Sequence, residues 1–513
     1  MKLVTADQMR AIEAAAFASG VTQPDLMETA GRAVAQAVRD RLGGARAQRI
    51  LVLGGGGNNG GDGLVAARYL HDDGADVRIY LLAPRSESDA NYAAVQHRDI
   101  EIVSLTAEDA AQTIAQDLVR TDAVIDAILG IGATRPLEGV VAATMDALAH
   151  RRCLLFAVDT PTGVNADTGE VDPHAAMTDV TLALGYSKLG LNLLPGSARA
   201  GEVEVLDIGL EPVLGADIDV EMTTADWARQ VLPERPLVSN KGTFGRVLVV
   251  AGSENYVGAA TLSCLGALRA GAGLATVASR SAVRAAVAAQ LPEVTFLPLP
   301  EDGNDIAGNA GDVVLQALPA YDVLLIGPGL GQSPGAQALV RGLLTAPAIA
   351  DVPVVADADA LNALAKVPGW HEHLACRAVL TPHPGELSRL AHSTIRDIQG
   401  DRLDTARDCA SSWGQVLVLK GAQTVVADRT GAALISPFAN AALATAGTGD
   451  VLAGCIAGLQ AQGVEPFLAA GLGVYLHGAS GELYADDFGP SGLLASELGA
   501  GIAMAAASLR RGE

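Results

Sequence analysis

Positive charge is scarce in this chain. Against 58 Asp and Glu there are 35 Lys and Arg, for a formal net charge of −23. That balance excludes sequence-independent binding of nucleic acid, which needs a basic surface. Aromatic residues make up only 4% although half the residues are apolar, and the abundant Gly and Ala suit close packing of helices on sheets. Cys153, Cys264, Cys376, Cys409 and Cys455 show no CxxC spacing, and the nine histidines form no HxxxH pair. Neither a disulfide framework nor a zinc site is indicated. No apolar stretch approaches the ~20 residues of a membrane span, because Gly and charged residues break every candidate. Met1-Lys2-Leu3-Val4-Thr5-Ala6-Asp7 lacks the apolar segment of a secretory signal. The expected location is the cytoplasm, with no membrane and no nucleic acid among the partners.

What the chain does have is a regular alternation. At 513 residues it is too long for one ordinary core. Apolar runs at 49–53, 77–82, 123–129, 153–158, 180–184 and 203–208 have the length of buried strands, and amphipathic segments separate several of them. Helices are expected at 9–18 and 25–42. The pattern predicts an α/β fold with a parallel, doubly wound sheet. It lapses at 210–220 into Glu, Pro, Gly and Asp, and a second alternating series starts at Arg246. The domain boundary is expected near 215–225, giving domains 1–218 and 219–513.

In the second series, Thr445-Ala446-Gly447-Thr448-Gly449-Asp450 runs into Val451-Leu452-Ala453-Gly454. Gly447, Thr448 and Gly449 leave backbone N–H groups unshielded at a helix mouth, where the dipole favours a phosphate. A carboxylate beside a bound anion is a poor neighbour unless it acts as a base, so Asp450 points to phosphoryl transfer to an alcohol. A plain glycine-rich cap is the alternative for any lone GxGD. Four upstream segments end strands with polar residues: GPGLG (327–331), DADALN (357–362), LTPHPGE (380–386) and VLKGAQT (418–424). In an open α/β sheet these tails converge on one cleft. His383, flanked by prolines, either touches ligand or fills its turn.

The first apolar run leads into Gly54-Gly55-Gly56-Gly57-Asn58-Asn59-Gly60-Gly61-Asp62-Gly63. Gly55, Gly57 and Gly60 formally satisfy GxGxxG, which makes a nicotinamide dehydrogenase the rival reading. Two features oppose it. The next strand ends in Ala83-Pro84-Arg85-Ser86 rather than in an acidic residue that grips ribose, and Asp62 at the helix mouth repels a pyrophosphate. Further strand ends carry Asp126-Ala127-Ile128-Leu129-Gly130 and Val158-Asp159-Thr160-Pro161-Thr162-Gly163. Asn, Asp and Thr oxygens without thiols or imidazoles suit K⁺, Mg²⁺ or Ca²⁺. Ordinary Asx and Thr caps are the alternative.

The set GPGLG, DADALN, LTPHPGE, VLKGAQT and ATAGTGDVLAG, opened by the segment 241–252, closely resembles the ADP/ATP-dependent NAD(P)H-hydrate dehydratases over about residues 225–510. NNGGDG, DAILGIGATRP, VDTPTG and the segment 188–196 resemble the NAD(P)H-hydrate epimerases over about residues 1–215. Together they resemble the bifunctional NAD(P)H-hydrate repair enzymes. The resemblance implies a Rossmann-like doubly wound domain followed by a ribokinase-like α/β/α domain. It implies a substrate that is nicotinamide cofactor hydrated at its 5,6 double bond, with a hydroxyl at C6. An isomerase activity would interconvert the R and S hydrates of NADH and NADPH. A lyase activity would then consume ADP or ATP to dehydrate the S form, releasing AMP or ADP with phosphate.

By the same resemblance, Asn58, Asn59, Gly60, Gly61, Asp62, Gly130, Ile131, Gly132, Ala133, Thr134, Arg135, Pro136 and Asp159 contact the epimerase substrate, with Asp159 as acid/base. Asn59, Asp126 and Thr162 would hold K⁺. Ala259, Gly331, His383 and Asp450 would contact the dehydratase substrate. Lys420, Gly421, Ala422, Gln423, Thr424 and Gly449 would bind the nucleotide, and Gly447, Thr448 and Gly449 would form the anion hole. Mg²⁺ would accompany the nucleotide, with Glu386 holding a water on it, and a homo-oligomer, tetramer or larger, is implied. Glu254-Asn255-Tyr256 departs from the family's usual Gly- or Arg-containing turn, which bears on Ala259. Two rival readings remain at this level: a ribokinase-like small-molecule kinase fused to a dinucleotide-binding domain, and a non-catalytic binding role for the first half.

Overall fold

The computed structural model describes residues 1–512. It divides into two compact units, one of Lys2–Val220 and one running from Glu221 onward together with Met1.

In the first unit, α1 (Ala6–Ala18) and α2 (Gln23–Arg41) precede β1 (Arg49–Gly54). There follow α3 (Asn58–Asp72), β2 (Asp76–Leu81), β3 (Glu101–Ser104), β4 (Ala123–Ala127), β5 (Leu154–Val158), β6 (Val180–Leu184) and β7 (Glu202–Leu206). The seven strands are parallel in the order β3-β2-β1-β4-β5-β6-β7. Ile50, Val52 and Leu53 of β1 are wholly buried, as a strand covered on both faces requires, and it therefore reads as a continuous apolar run rather than an alternating one. The winding direction reverses between β1 and β4, so a crevice opens beyond their carboxyl ends.

Two differences from the sequence reading have local causes. β3 is an edge strand of sequence Glu-Ile-Val-Ser whose middle residues are only partly buried, so it lacks an apolar run. The run 123–129 stops being strand at Ala127, because the N–H groups of Ile128 and Leu129 turn onto Asp126 Oδ1 (3.2 Å) and Thr162 Oγ1 (3.1 Å).

The second unit contains a ten-stranded sheet. Its elements are β8 (Val220–Met222), β9 (Arg246–Val250), α4 (Val257–Ala270), β10 (Leu274–Ser279), β11 (Thr295–Pro298), β12 (Val323–Ile326), β13 (Val354–Ala356), β14 (Ala378–Leu380), β15 (Val416–Leu419), β16 (Val425–Ala427), β17 (Ala433–Ile435) and α5 (Thr448–Ala461). The strand order is β8-β17-β16-β15-β14-β13-β12-β9-β10-β11. Pairing is parallel from β15 through β11, whereas β16 and β17 add antiparallel strands. The parallel strands therefore direct their carboxyl ends to one side.

Helices α4 and α5 meet backbone to backbone. A Cβ added to Gly266 would lie 2.2 Å from Val451 O, and one added to Gly454 would lie 2.0 Å from Ser263 O. The glycine content thus serves helix-on-helix approach as well as packing on sheets. Gly266→Ala sets two effects against each other: overpacking costs about 1–3 kcal/mol, and better helix propensity returns about 0.5–1 kcal/mol. The clash with backbone wins, because a carbonyl cannot swing aside as a side chain can. The expected outcome is net destabilisation, read as a lower denaturant midpoint for this unit.

Candidate active sites

The crevice of the first unit is a cleft of about 610 Å³. Asn58, Asn59 and Asp62 of α3, the loop residues Gly130, Ile131, Gly132 and Ala133, and Asp159 after β5 all line it. Met9, Glu13 and Phe17 of α1 and Leu26 and Met27 of α2 close its other side. The remaining expected residues lie elsewhere. Gly60 and Gly61 are absent from the lining: Gly60 abuts Gly55 O, where a Cβ would come within 2.1 Å, and Gly61 abuts Met27 Sδ. Thr134, Arg135 and Pro136 are exposed beyond the lining.

Asp159 has a φ of +66°, and the N–H of Thr160 donates to Val158 O at 2.8 Å. The resulting three-residue turn is of the rare, strained kind. It aims Oδ1 at two donors, the N–H of Leu184 (3.1 Å) and Nζ of Lys188. Lys188 is fully buried, and its other bond goes to Leu184 O at 3.0 Å. Sequence reasoning gave this lysine no role. The signal available was a cationic residue in an otherwise apolar segment ahead of Leu189.

Asp62 is buried. Burial first, and the nearby Asp159 and Glu13 next, push its carboxyl well above the usual range. The charge repulsion argued from Asp62 against a pyrophosphate weakens as that carboxyl is pushed up. What sets the glycine turn apart from a dinucleotide site is Arg85. Its guanidinium donates to Gly55 O (2.9 Å) and Gly57 O (2.6 Å) and pairs with Asp89, so a cation lies against the turn where a ribose-gripping acid is needed.

Asp126 is wholly buried, and no basic side chain pairs with it among the described residues. Its carboxylate accepts from Thr162 N–H (2.9 Å), Thr162 Oγ1 (2.7 Å) and Ile128 N–H. Burial raises its pKa, and these hydrogen bonds oppose the rise. Asn59 donates to Leu129 O at 2.9 Å while its buried Oδ1 has no partner. An uncompensated carboxylate and an orphaned amide oxygen, linked through the Leu129–Thr162 contact, fit a hard cation bound by oxygens.

In the second unit the charged groups gather around one lysine. Lys420 Nζ donates to Asp357 Oδ1 at 2.7 Å and lies 3.8 Å from Glu386 Oε2. Burial opposes its charge, but Asp357 and Glu386 outweigh that, and its pKa is raised. A Cβ on Gly449 would lie 3.3 Å from the same Nζ, so the ammonium stands at the mouth of α5. Asp450 sits in the first turn of that helix, behind Gly447 with a φ of +92°. Burial, followed by the charge of Asp357, raises Asp450 to about 7.

The neighbouring loops are held firmly. His383 caps its helix: Nδ1 accepts from the N–H of Gly385 (3.0 Å), and Glu386 Oε2 accepts from the N–H of His383 (2.8 Å). Burial and then Lys420 lower the imidazole pKa, which keeps Nδ1 an acceptor. The side chain fills its turn and is still half exposed. The N–H of Gly331 donates to Asp359 Oδ2 at 2.8 Å, and Ala259 stands against Gly329. In the lysine loop, Gln423 N–H reaches Phe438 O (2.8 Å) and Thr424 Oγ1 reaches Gly421 O (2.8 Å), while Ala422 is exposed. Sequence reasoning missed His477, a buried imidazole lowered to about 4 by burial, whose Nε2 donates to Thr448 O at 3.0 Å. It also assigned no role to Asp357. Among the described residues no three His, Cys, Asp or Glu side chains form a metal cage, and the carboxylates here fit an ion held chiefly through phosphates and water.

The NAD(P)H-hydrate dehydratase family model matches residues 247–503, and the family described as YjeF-related protein N-terminus matches residues 23–190. The bifunctional NAD(P)H-hydrate repair enzyme Nnr of Moorella thermoacetica is 41% identical, over 97% of this chain and 95% of its own. The chain belongs to the bifunctional NAD(P)H-hydrate repair enzyme family. The enzyme of the same name from Escherichia coli is 34% identical over 96% of this chain and 91% of its own. The hypothetic protein SMU.573 of Streptococcus mutans, known from its crystal structure, covers 56% of the chain with 99% of its own, at 28% identity and a TM-score of 0.50. The first unit is thus the Rossmann-like epimerase unit and the second the ribokinase-like dehydratase unit.

The dehydratase unit carries a pH prediction. A carboxyl raised to about 7 is protonated below that pH and becomes a base above it. The nucleotide-dependent rate should therefore rise with pH through an acid limb near neutrality. A limb near pH 4, the ordinary carboxylate range, would separate Asp450 from the rate-limiting proton transfer.

Proposed function

We propose that the epimerase cleft interconverts the R and S hydrates of NADH and NADPH at Asp159, and that the dehydratase cleft uses Asp450 to open a nucleotide-dependent dehydration of the S hydrate. The observation that carries the second assignment is the half-buried carboxyl of Asp450, raised to about 7, at a helix N-terminus and within the field of Lys420. Hydroxide is a poor leaving group, whereas phosphate is a good one. Asp450 takes the proton of the C6 hydroxyl as its oxygen attacks the terminal phosphorus of ADP or ATP, and AMP or ADP departs. The N–H groups of Gly447, Thr448 and Gly449 and the ammonium of Lys420 stabilise the transferring charge. The ring nitrogen then forms N1=C6 as phosphate leaves with the C6–O electron pair, and loss of a C5 proton restores C5=C6.

Lys420, Gly421, Ala422, Gln423, Thr424 and Gly449 are assigned to the nucleotide, and Ala259, Gly331 and His383 to the hydrate. Glu386 would hold a water of Mg²⁺, which when bound neutralises phosphate charge. Asn59, Asp126 and Thr162 would hold K⁺, which supplies the missing counter-charge to Asp126. In the epimerase cleft, Asn58, Asn59, Asp62 and residues 130–133 are assigned to the substrate. We place the reaction in the cytoplasm, in keeping with five unpaired cysteines, and among the described residues no helix is long and apolar enough to cross a membrane. Assembly into a homo-oligomer is part of the same proposal.

Asp450→Asn keeps the side-chain volume and removes the base. Recovery of NADH from S hydrate with ADP or ATP, followed by absorbance, should fall about 10²- to 10⁴-fold while R/S interconversion persists. Asp159→Asn should do the reverse, leaving R hydrate behind. Near wild-type dehydration by Asp450→Asn, or a stable phosphorylated product in place of NADH, would sink the mechanism.

A separate test concerns the ion. Epimerisation should depend on K⁺ and be indifferent to a zinc chelator. Anomalous scattering from a transition metal between Asn59 and Asp126 would contradict the oxygen-donor assignment.

A further inference from the structure

We propose that Glu13 is the proton-donating partner of Asp159, so that epimerisation runs on two carboxyl groups brought into one cleft from distant parts of the chain. The inference rests on the epimerase reading of that cleft. Met9, Glu13 and Phe17 are spaced by four on α1 and all line the cleft, so the helix presents one face to it. A carboxyl in the middle of an apolar stripe is an anomaly, since burying its charge is costly without a partner.

Glu13 has no such partner. Its side chain makes no hydrogen bond or ion pair with the other described residues, and the cations near it are engaged elsewhere. Arg10 is bound to Asp7 at 2.6 Å, Lys188 to Asp159, and Arg85 to Asp89 and the glycine turn. Asp62 faces the same space from α3. Burial first, then Asp159, raises the Glu13 carboxyl, and Lys188 and Arg10 only oppose this. A carboxyl with no cation of its own thus stands near one that is ion-paired, the arrangement in which two like groups take opposite roles. Asp62 is also pushed toward neutrality, but it is almost wholly buried whereas Glu13 is only half-buried. A group that must recover its proton from water each cycle needs that access.

The step balances without a co-reactant. Glu13 gives its proton to the C6 hydroxyl oxygen, the C6–O bond breaks with its electron pair leaving on water, and the N1 lone pair forms N1=C6. Water adds to the opposite face of C6, the π pair returns to N1, and the added water loses its extra proton to Asp159. Exchange with solvent resets both groups.

The test measures R/S interconversion against pH without nucleotide, in the full chain, for wild type, Glu13→Gln, Glu13→Asp and Asp62→Asn. A donor is lost as pH rises through its pKa, so wild type should show an alkaline limb. Glu13→Gln should lower kcat about 10²- to 10⁴-fold with little change in KM and without that limb, while nucleotide-dependent consumption of S hydrate continues. Glu13→Asp should keep a limb, displaced with the shorter carboxyl, and Asp62→Asn, whatever it does to the rate, should keep an alkaline limb. A Glu13→Gln enzyme that retains the limb or the wild-type rate overturns the proposal, as does loss of the limb in Asp62→Asn. Should Glu13→Gln fail to fold, an undisplaced limb in Glu13→Asp overturns it instead. A wild-type chain that does not interconvert the hydrates at all refutes the epimerase reading itself, which is a different result.

Discussion

Each unit organises its site around a lysine withdrawn from water and held by an aspartate at a strand end. Lys188 meets Asp159 beyond β5, and Lys420 meets Asp357 beyond β13. An ammonium taken out of water loses several kcal/mol of hydration, about as much as a well-made pair can restore, so the surrounding backbone has to supply the rest. In the first unit Leu184 O does this, accepting from Nζ at 3.0 Å. In the second, Glu386 lies 3.8 Å from the same Nζ and adds a second negative charge, against the positive mouth of α5 beside it. The chemistry follows from that confinement: Asp450 is raised to about 7 because burial and Asp357 outweigh the stabilising charge of Lys420.

A chain with a net charge of −23 still has to bind anionic dinucleotides. Under the proposed assignments it does so with local devices. The mouth of α5 presents backbone N–H groups beside a single ammonium, while Arg85 and Lys188 are enclosed by carbonyl and carboxylate oxygens. Such short-range fields act within a few ångströms and are little affected by distant surface carboxylates, which salt screens. Global acidity therefore excludes a basic binding face without excluding phosphate chemistry.

Much of the site was legible in the sequence where a motif coincides with a turn. GTGD places Asp450 at a helix mouth through its glycines, and VDTPTG places Asp159 at a strand tip, because turn residues act through their own φ and ψ. Legibility was poorer where packing decides. Gly60 and Gly61 share the motif of Asn58 and Asn59, yet successive helix residues face different ways, and the two glycines meet the Gly55 backbone and Met27 rather than the cleft. Thr134, Arg135 and Pro136 sit on a loop that leaves the cleft after Ala133. Glu13 could not be read as a site residue because no motif surrounds it.

The sequence by itself determined the buried strands and the long helices, though not the edge strand β3, since an apolar run long enough to be buried on both faces, or an apolar stripe at helical spacing, is a property of neighbouring residues. It also determined which strand ends carry carboxylates, hydroxyls and glycines. Only the tertiary structure decided which of these groups meet. Strand order puts the ends of β1 and β4 side by side although Gly54 and Ala127 are 73 positions apart in the chain's numbering, and it brings Lys420 to Asp357 across 63 positions. The protonation states depend on that meeting, because a carboxyl's pKa is set by how much water it loses and by the charges within a few ångströms of it, and neither quantity is written in the residues beside it.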